Sequence, residues 1–321
     1  MRMLTIFAML LGFVVAAGAE PRDVFVTVNG VRLHYLDFGG SGPAVFLLHG
    51  QGNTAHIFRT FAPGLTDRYH VFALTRRGHG QSDAPADGYD PITLAADIRG
   101  VMDARLIERA TIIGHSMAGE EMTALAASSP ERVTALVYLD AAFDRSKPIE
   151  WELDPFYSAG TPQPAESASK DALRSFNRRW IPWWNDADER DFEASAYQKL
   201  DGTWASGAKP GVDEKIEAGR LSYRYDYGRL TVPALAIYAT PRRYPPRYIP
   251  PGATTAQLNA AQAFVESEWG PFVTSSIAHF RRDVPCARIL EIADADHYVF
   301  VSHSSEVLAH VRAFLAEARC P

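Results

Sequence analysis

The chain of 321 residues is long enough for one large domain, or for one domain carrying an inserted cap. With 47% hydrophobic and 22% charged residues it has the composition of a globular protein with a sizeable core, not of a disordered or fibrous chain. A formal charge of −6 excludes a basic footprint, so no nucleic-acid partner is expected.

Arg2 precedes an apolar run at residues 4–15, and Ala17-Gly18-Ala19 follows. A positive end, an apolar core and a small-residue cut site in that order predict a secretory signal peptide over residues 1–19, cleaved after Ala19. The run is shorter than the ~20 apolar residues that span a bilayer, and no cysteine follows to carry a lipid. No stable membrane anchor is therefore expected, and the mature chain is expected in the periplasm or outside the cell.

Residues 24–28 alternate apolar and polar, Asn29-Gly30 signals a tight turn, and residues 31–38 form a second strand. Apolar strands at residues 44–48, 70–74, 110–113 and 133–139 then alternate with helical stretches at 54–65, 92–107 and 120–129. Strands without polar interruption, separated by helices, predict an α/β fold with a mostly parallel sheet covered on both faces. The rhythm stops after the sixth strand. Residues 143–228 hold helical pieces and many aromatics, among them Trp151, Trp180, Trp183, Trp184 and Trp204. They read as a helical cap or lid over the strand ends, with residues 20–142 and 229–321 as the two parts of the core. The sheet resumes at 232–238, a Pro- and Arg-rich loop occupies 241–251, helix covers 254–281, and a last strand (287–293) and helix (304–318) finish the chain. The loop reads equally as a substrate gate or a surface excursion. Cys286 and Cys320, the two cysteines, come to one edge in this topology, either paired or as free structural thiols.

The chemistry centres on Gly114-His115-Ser116-Met117-Ala118-Gly119, between an apolar strand and a helix. Small residues around Ser116 permit a sharp turn that lifts its hydroxyl clear of the sheet and points helix N–H groups at a ligand. A serine hydroxyl needs a base, and the base needs an orienting acid. Of ten histidines, His297 sits beyond the C-terminal end of the last strand, on the edge that carries Ser116. The strand after the cap ends in Tyr238-Ala239-Thr240-Pro241 without a carboxylate, whereas the strand before it ends in Asp140. Asp140 is the expected acid; Asp144, Asp294 and Asp296 compete, and Glu120 reads as a carboxylate complementing a helix N-terminus. The backbone N–H groups of Met117 and of Gln51, in the turn His49-Gly50-Gln51-Gly52, are the expected oxyanion donors. His49, Gly50, His115, Trp183 and Tyr238 are expected to line the substrate site.

Taken in order, His49-Gly50-Gln51-Gly52, Arg77-Gly78-His79-Gly80-Gln81-Ser82, the Ser116 motif and Asp296-His297 resemble the α/β-hydrolase superfamily. An acid at Asp140 resembles the placement in some relatives of haloalkane dehalogenases. Those enzymes and the epoxide hydrolases use an aspartate nucleophile, so the resemblance implies acyl transfer for a chain with serine at 116. Together with the expected signal peptide it implies an exported serine hydrolase acting on carboxylic esters, with no metal or organic cofactor. Carbon–carbon bond hydrolysis, hydroxynitrile cleavage, proline-type peptidase action and a non-catalytic binding role stay open beside it.

Overall fold

Apolar residues on both faces of the central strands divide the interior into two cores. A computed structural model describes residues 20–143, 149–181, 183–224 and 226–320; the expected signal peptide (1–19) and the competing acid Asp144 lie outside them. The strands are β1 (Arg22–Val28), β2 (Val31–Gly39), β3 (Ala44–Leu48), β4 (His70–Thr75), β5 (Ala110–His115), β6 (Val133–Leu139), a short ribbon β7 (Tyr197–Gln198) and β8 (Trp204–Ala205), then β9 (Ala234–Thr240) and β10 (Ala287–Ala293). All but the ribbon form one eight-stranded sheet in the order β1-β2-β4-β3-β5-β6-β9-β10. The first two pairings are antiparallel and the rest parallel. Asn29 and Gly30 both take positive φ, as the hairpin between β1 and β2 requires.

Side chains alternate between the cores. Phe46, Leu48 and Ile112 face one, which is closed by α1 (Pro91–Ala104), α2 (Ala118–Ser128) and a later helix bearing Ile277 and Phe280. Val45, Leu47 and Ile113 face the other with Phe300, Val311 and Phe314. The strand order puts the C-terminal ends of β3, β5, β6, β9 and β10 side by side, and Gln51, Ser116, Met117, Asp140 and His297 follow those ends.

The expected helix over 54–65 is instead two single 3₁₀ turns, Ala55–Phe58 and Ala62–Leu65. Pro63 and Gly64 lie in the second turn and prevent a continuous helix. α1 stops at Ala104, three residues early, because Leu106 turns to φ 57° and the Ile107 N–H closes on the Met102 carbonyl.

The stretch after β6 contains α3 (Lys170–Trp180), α4 (Asp186–Ser195), the ribbon, and α5 (Val212–Leu221). It joins the core at the strand ends. Asp191 on α4 binds Thr54, Arg220 on α5 binds Glu120, and Ala208 pairs with His79 through a β-bridge. Beyond β9 come α6 (Thr255–Phe264), a π-turn at Val265–Trp269 and α7 (Gly270–Asp283). Pro271 lacks the N–H that a regular helix would need there, which accounts for the bulge. After β10, α8 (Val299–Ser302) and α9 (Ser304–Glu317) return the chain, and Cys286 and Cys320 form a disulfide with Cα atoms 5.2 Å apart. Among the described residues no helix is long and apolar enough to cross a membrane.

Candidate active site

β5 delivers Ser116 at φ 54°, a left-handed conformation that costs a non-glycine residue free energy. The turn is held by the Ser116 N–H on the Leu139 carbonyl (3.3 Å) and by the Gly119 N–H on the Ser116 carbonyl (3.1 Å). Three glycines make room. A Cβ at Gly114 would lie 2.5 Å from Met122 Sδ, one at Gly119 would lie 2.1 Å from the Ala141 carbonyl oxygen, and one at Gly50 would lie 3.1 Å from Ser116 Cβ. The turn at Gly50 is therefore pressed against the serine.

His297 follows β10, and its Nδ1 is 2.6 Å from Asp140 Oδ2. Asp140 closes β6, also at positive φ (47°), and its Oδ1 accepts the Ala239 N–H at 2.9 Å. Carboxylate and imidazole are thus fixed relative to the sheet. Asp294 instead accepts the N–H groups of Arg242 and Arg243, and Asp296 that of Tyr298. Asp140 is the carboxylate that reaches the imidazole. The Ser116 hydroxyl and Nε2 of His297 form no hydrogen bond in this conformation, a looseness common before substrate binds.

Neither the N–H of Met117 nor that of Gln51 has an acceptor among the described residues. Met117 also stands at the N-terminus of α2, where the helix dipole favours negative charge. The Gln51 side chain donates to Asp213 (2.7 Å), and the Gly52 N–H donates to Nε2 of the buried His79 (3.4 Å). Both contacts fix the turn.

Three expected substrate-lining residues are instead enclosed beneath the site. The Nδ1–H of His49 donates to the Gly50 carbonyl (2.7 Å), and its Nε2 accepts the Arg76 N–H (3.0 Å). Burial, reinforced by Arg76, pushes its pKa well below the usual histidine value. Nε2–H of His115 donates to the His297 carbonyl (3.1 Å), and its ring packs 4.6 Å from the His297 ring, so it supports the base from behind. The Tyr238 hydroxyl donates to the Ala142 carbonyl (2.6 Å) in the core. A β-strand end lies close to the site but also within the sheet, and these side chains face inward.

Trp183 lines a cavity of about 220 Å³ between the loop after β3 and the segment that carries α3 and α4. Gln51, Asn53, Trp184, Asp188, Arg247 and Tyr298 share its wall, which borders the Gln51 turn; Ser116 and His297 are not in it. A chain of hydrogen bonds runs along this wall: Tyr298 hydroxyl to Asn53 Oδ1 (3.0 Å), then Asn53 Nδ2 to Asp191 Oδ2 (2.8 Å). Asp191 is buried, which raises its pKa to about 6. Arg247, from the Pro- and Arg-rich loop, pairs with Asp296 and stands 5.2 Å over the Trp183 ring. Asn53 and Tyr298 escaped the sequence reading, although each adjoins a motif named there, the Gly50 turn and His297. Arg247 belongs to the Pro- and Arg-rich loop that the sequence left open between a gate and a surface excursion, whereas Asp191 carried no sequence signal.

Comparison with known proteins agrees with this architecture. A family model described as the alpha/beta hydrolase fold matches residues 43–304. Among curated proteins, the 2-(acetamidomethylene)succinate hydrolase of Mesorhizobium japonicum is 34% identical over 101 residues, 32% of this chain and 36% of that protein. An epoxide hydrolase of Caballeronia sordidicola is 31% identical over 132 residues, 40% of this chain and 39% of that protein. The matches thus span little more than a third of the length of these relatives. The crystal structure of an E-2-(acetamidomethylene)succinate hydrolase superposes with a TM-score of 0.66 at 23% identity, covering 92% of this chain and 99% of the other. With the family model covering most of its length and the sheet and turns in the matching order, the chain belongs to the alpha/beta hydrolase fold family.

Proposed function

We propose that this chain is an exported serine hydrolase that cleaves small carboxylic esters through an acyl-enzyme. The observation that carries the reading is a serine on a strained turn at a helix N-terminus, next in the chain to a histidine packed on an imidazole that a buried carboxylate holds. Ser116 Oγ attacks the ester carbonyl and His297 Nε2 takes its proton, while Asp140 holds the imidazole by Nδ1 and stabilises its charge. The N–H groups of Gln51 and Met117 receive the developing oxyanion, in an arrangement worth several kcal/mol of transition-state stabilisation in such sites, typically ~3 kcal/mol per donor. His297 then protonates the leaving alcohol, and water repeats the sequence to release the acid. Serine at 116 favours acyl transfer over the epoxide opening named for one relative. The inserted helices act as a cap whose cavity receives the acyl or alcohol group. Export is supported by the pattern of residues 2–19 and by the disulfide, since such bonds persist in oxidising compartments.

A second reading, carbon–carbon bond hydrolysis by the same serine, is favoured by the charged residues Asp188 and Arg247 in the cavity wall, which suit a polar acyl donor. Hydrolysis of p-nitrophenyl esters of graded chain length tests the choice. Turnover falling as the acyl chain lengthens supports the small-ester reading. No turnover on any of them, with Ser116 still reactive towards a fluorophosphonate, removes it in favour of the second.

A further inference from the structure

A cluster of potential ligands lies away from the serine, where the N-terminal hairpin meets the first 3₁₀ turn. Asp23 on β1, His34 on β2 and His56 in the Ala55–Phe58 turn each bring one ligand-type atom within 4.8 Å of the others. Among the described residues no other group of three does so. Nε2 of His34 is already 3.0 Å from Asp23 Oδ1, and its Nδ1 is 2.9 Å from Thr75 Oγ1, which fixes the ring and can accept its second proton. His56 lies nearly parallel to His34, ring centroids 5.8 Å apart. Its Nδ1 is buried with no hydrogen-bond partner, a state that a ring nitrogen in a protein interior rarely keeps.

We infer that Asp23, His34 and His56 form a binding site for a borderline divalent transition-metal ion, zinc being the representative. Two imidazoles and one carboxylate are a donor set for such ions rather than for magnesium or calcium, which take oxygen ligands. Ligand–metal distances near 2.1 Å require the atoms to close by about 1 Å, a movement within reach of the exposed Asp23 side chain. Binding at His34 Nε2 uses the tautomer protonated at Nδ1, whose N–H donates to the Thr75 hydroxyl oxygen, so the neutral ring keeps its one proton. Both imidazoles are kept neutral, the form that ligates: burial lowers His34, and burial with the neighbouring His34 lowers His56 to about 4. The exposed Asp23 leaves further coordination positions to water. An ion here ties the β1–β2 edge to the loop after β3, independently of the serine chemistry.

The test is calorimetric titration of the whole chelator-washed protein with zinc chloride at pH 7.5, with magnesium chloride in parallel. The expected result is one zinc per chain at micromolar affinity or better, no magnesium signal, and a zinc-dependent rise in Tm. Asp23→Asn, at an exposed position that does not threaten folding, weakens zinc binding at least about tenfold, and His56→Gln does likewise. Absence of stoichiometric zinc binding, or an Asp23→Asn variant that binds zinc like the parent, overturns the assignment.

Discussion

Nδ1 of His297 lies 2.6 Å from Asp140 Oδ2, a contact that joins the loop after β10 to the end of β6 across the whole width of β9. The second carboxylate oxygen is occupied by the Ala239 N–H, so the side chain has little freedom to turn away. In Asp140→Asn the amide keeps the shape but no longer stabilises the imidazolium or enforces the productive tautomer. Ester kcat is expected to fall by about 10⁴-fold with KM nearly unchanged. Steady-state kinetics beside a thermal melt checks this; a loss under tenfold would place the acid elsewhere.

Gly50 offers a second, purely steric probe. A methyl group there would sit 2.7 Å from His115 Nδ1 and 3.1 Å from Ser116 Cβ. Gly50→Ala should push the Gln51 turn away from the serine, lowering kcat/KM at least about tenfold, as for a weakened oxyanion donor. The overpacking costs ~1–3 kcal/mol, read by urea denaturation.

How far the sequence anticipated these contacts follows from the range of its signals. Local patterns were legible: uninterrupted apolar runs marked β3, β5 and β6, Asn29-Gly30 marked the hairpin, and the glycines around Ser116 marked a strained turn. Asp140 was legible by elimination, because Thr240 at the end of β9 leaves that position without a carboxylate. Side-chain direction was not. His49, His115 and Tyr238 lie next to the site in the chain, and only the packed sheet shows them turned beneath it. Asp191 was illegible for the opposite reason, since it reaches the cavity from a distant segment through tertiary contacts alone.

Asp191 makes stability depend on pH in a defined direction. Burial raises its pKa from 3.8 to about 6, so between these values the folded state holds a proton that the unfolded chain releases. Its contribution to stability is therefore greatest below about pH 4, declines as pH rises to about 6, and is flat above, with a total change on the order of 3 kcal/mol. Asp191→Asn removes the titration. The difference in urea midpoint between variant and parent should change across pH 4–6 and stay constant from 6.5 to 8. A difference that is constant throughout contradicts the burial account.

The disulfide closes a stretch of 34 residues containing β10 and α9. Cys320→Ser, or reduction of the parent, should lower stability by ~2–4 kcal/mol, since the bridge limits the entropy of the unfolded chain. Denaturation with and without reductant measures it, and the variant should no longer respond to reductant.

The central claim is that Ser116 is the nucleophile of an acyl-transfer reaction. Its most direct test is mass spectrometry of the protein after exposure to a fluorophosphonate, with peptide mapping of the adduct. One adduct per chain on Ser116, absent from a Ser116→Ala variant that melts like the parent and turns over no ester, is the predicted result. An unlabelled Ser116, or an unlabelled Ser116→Ala variant that still hydrolyses esters, would contradict the account.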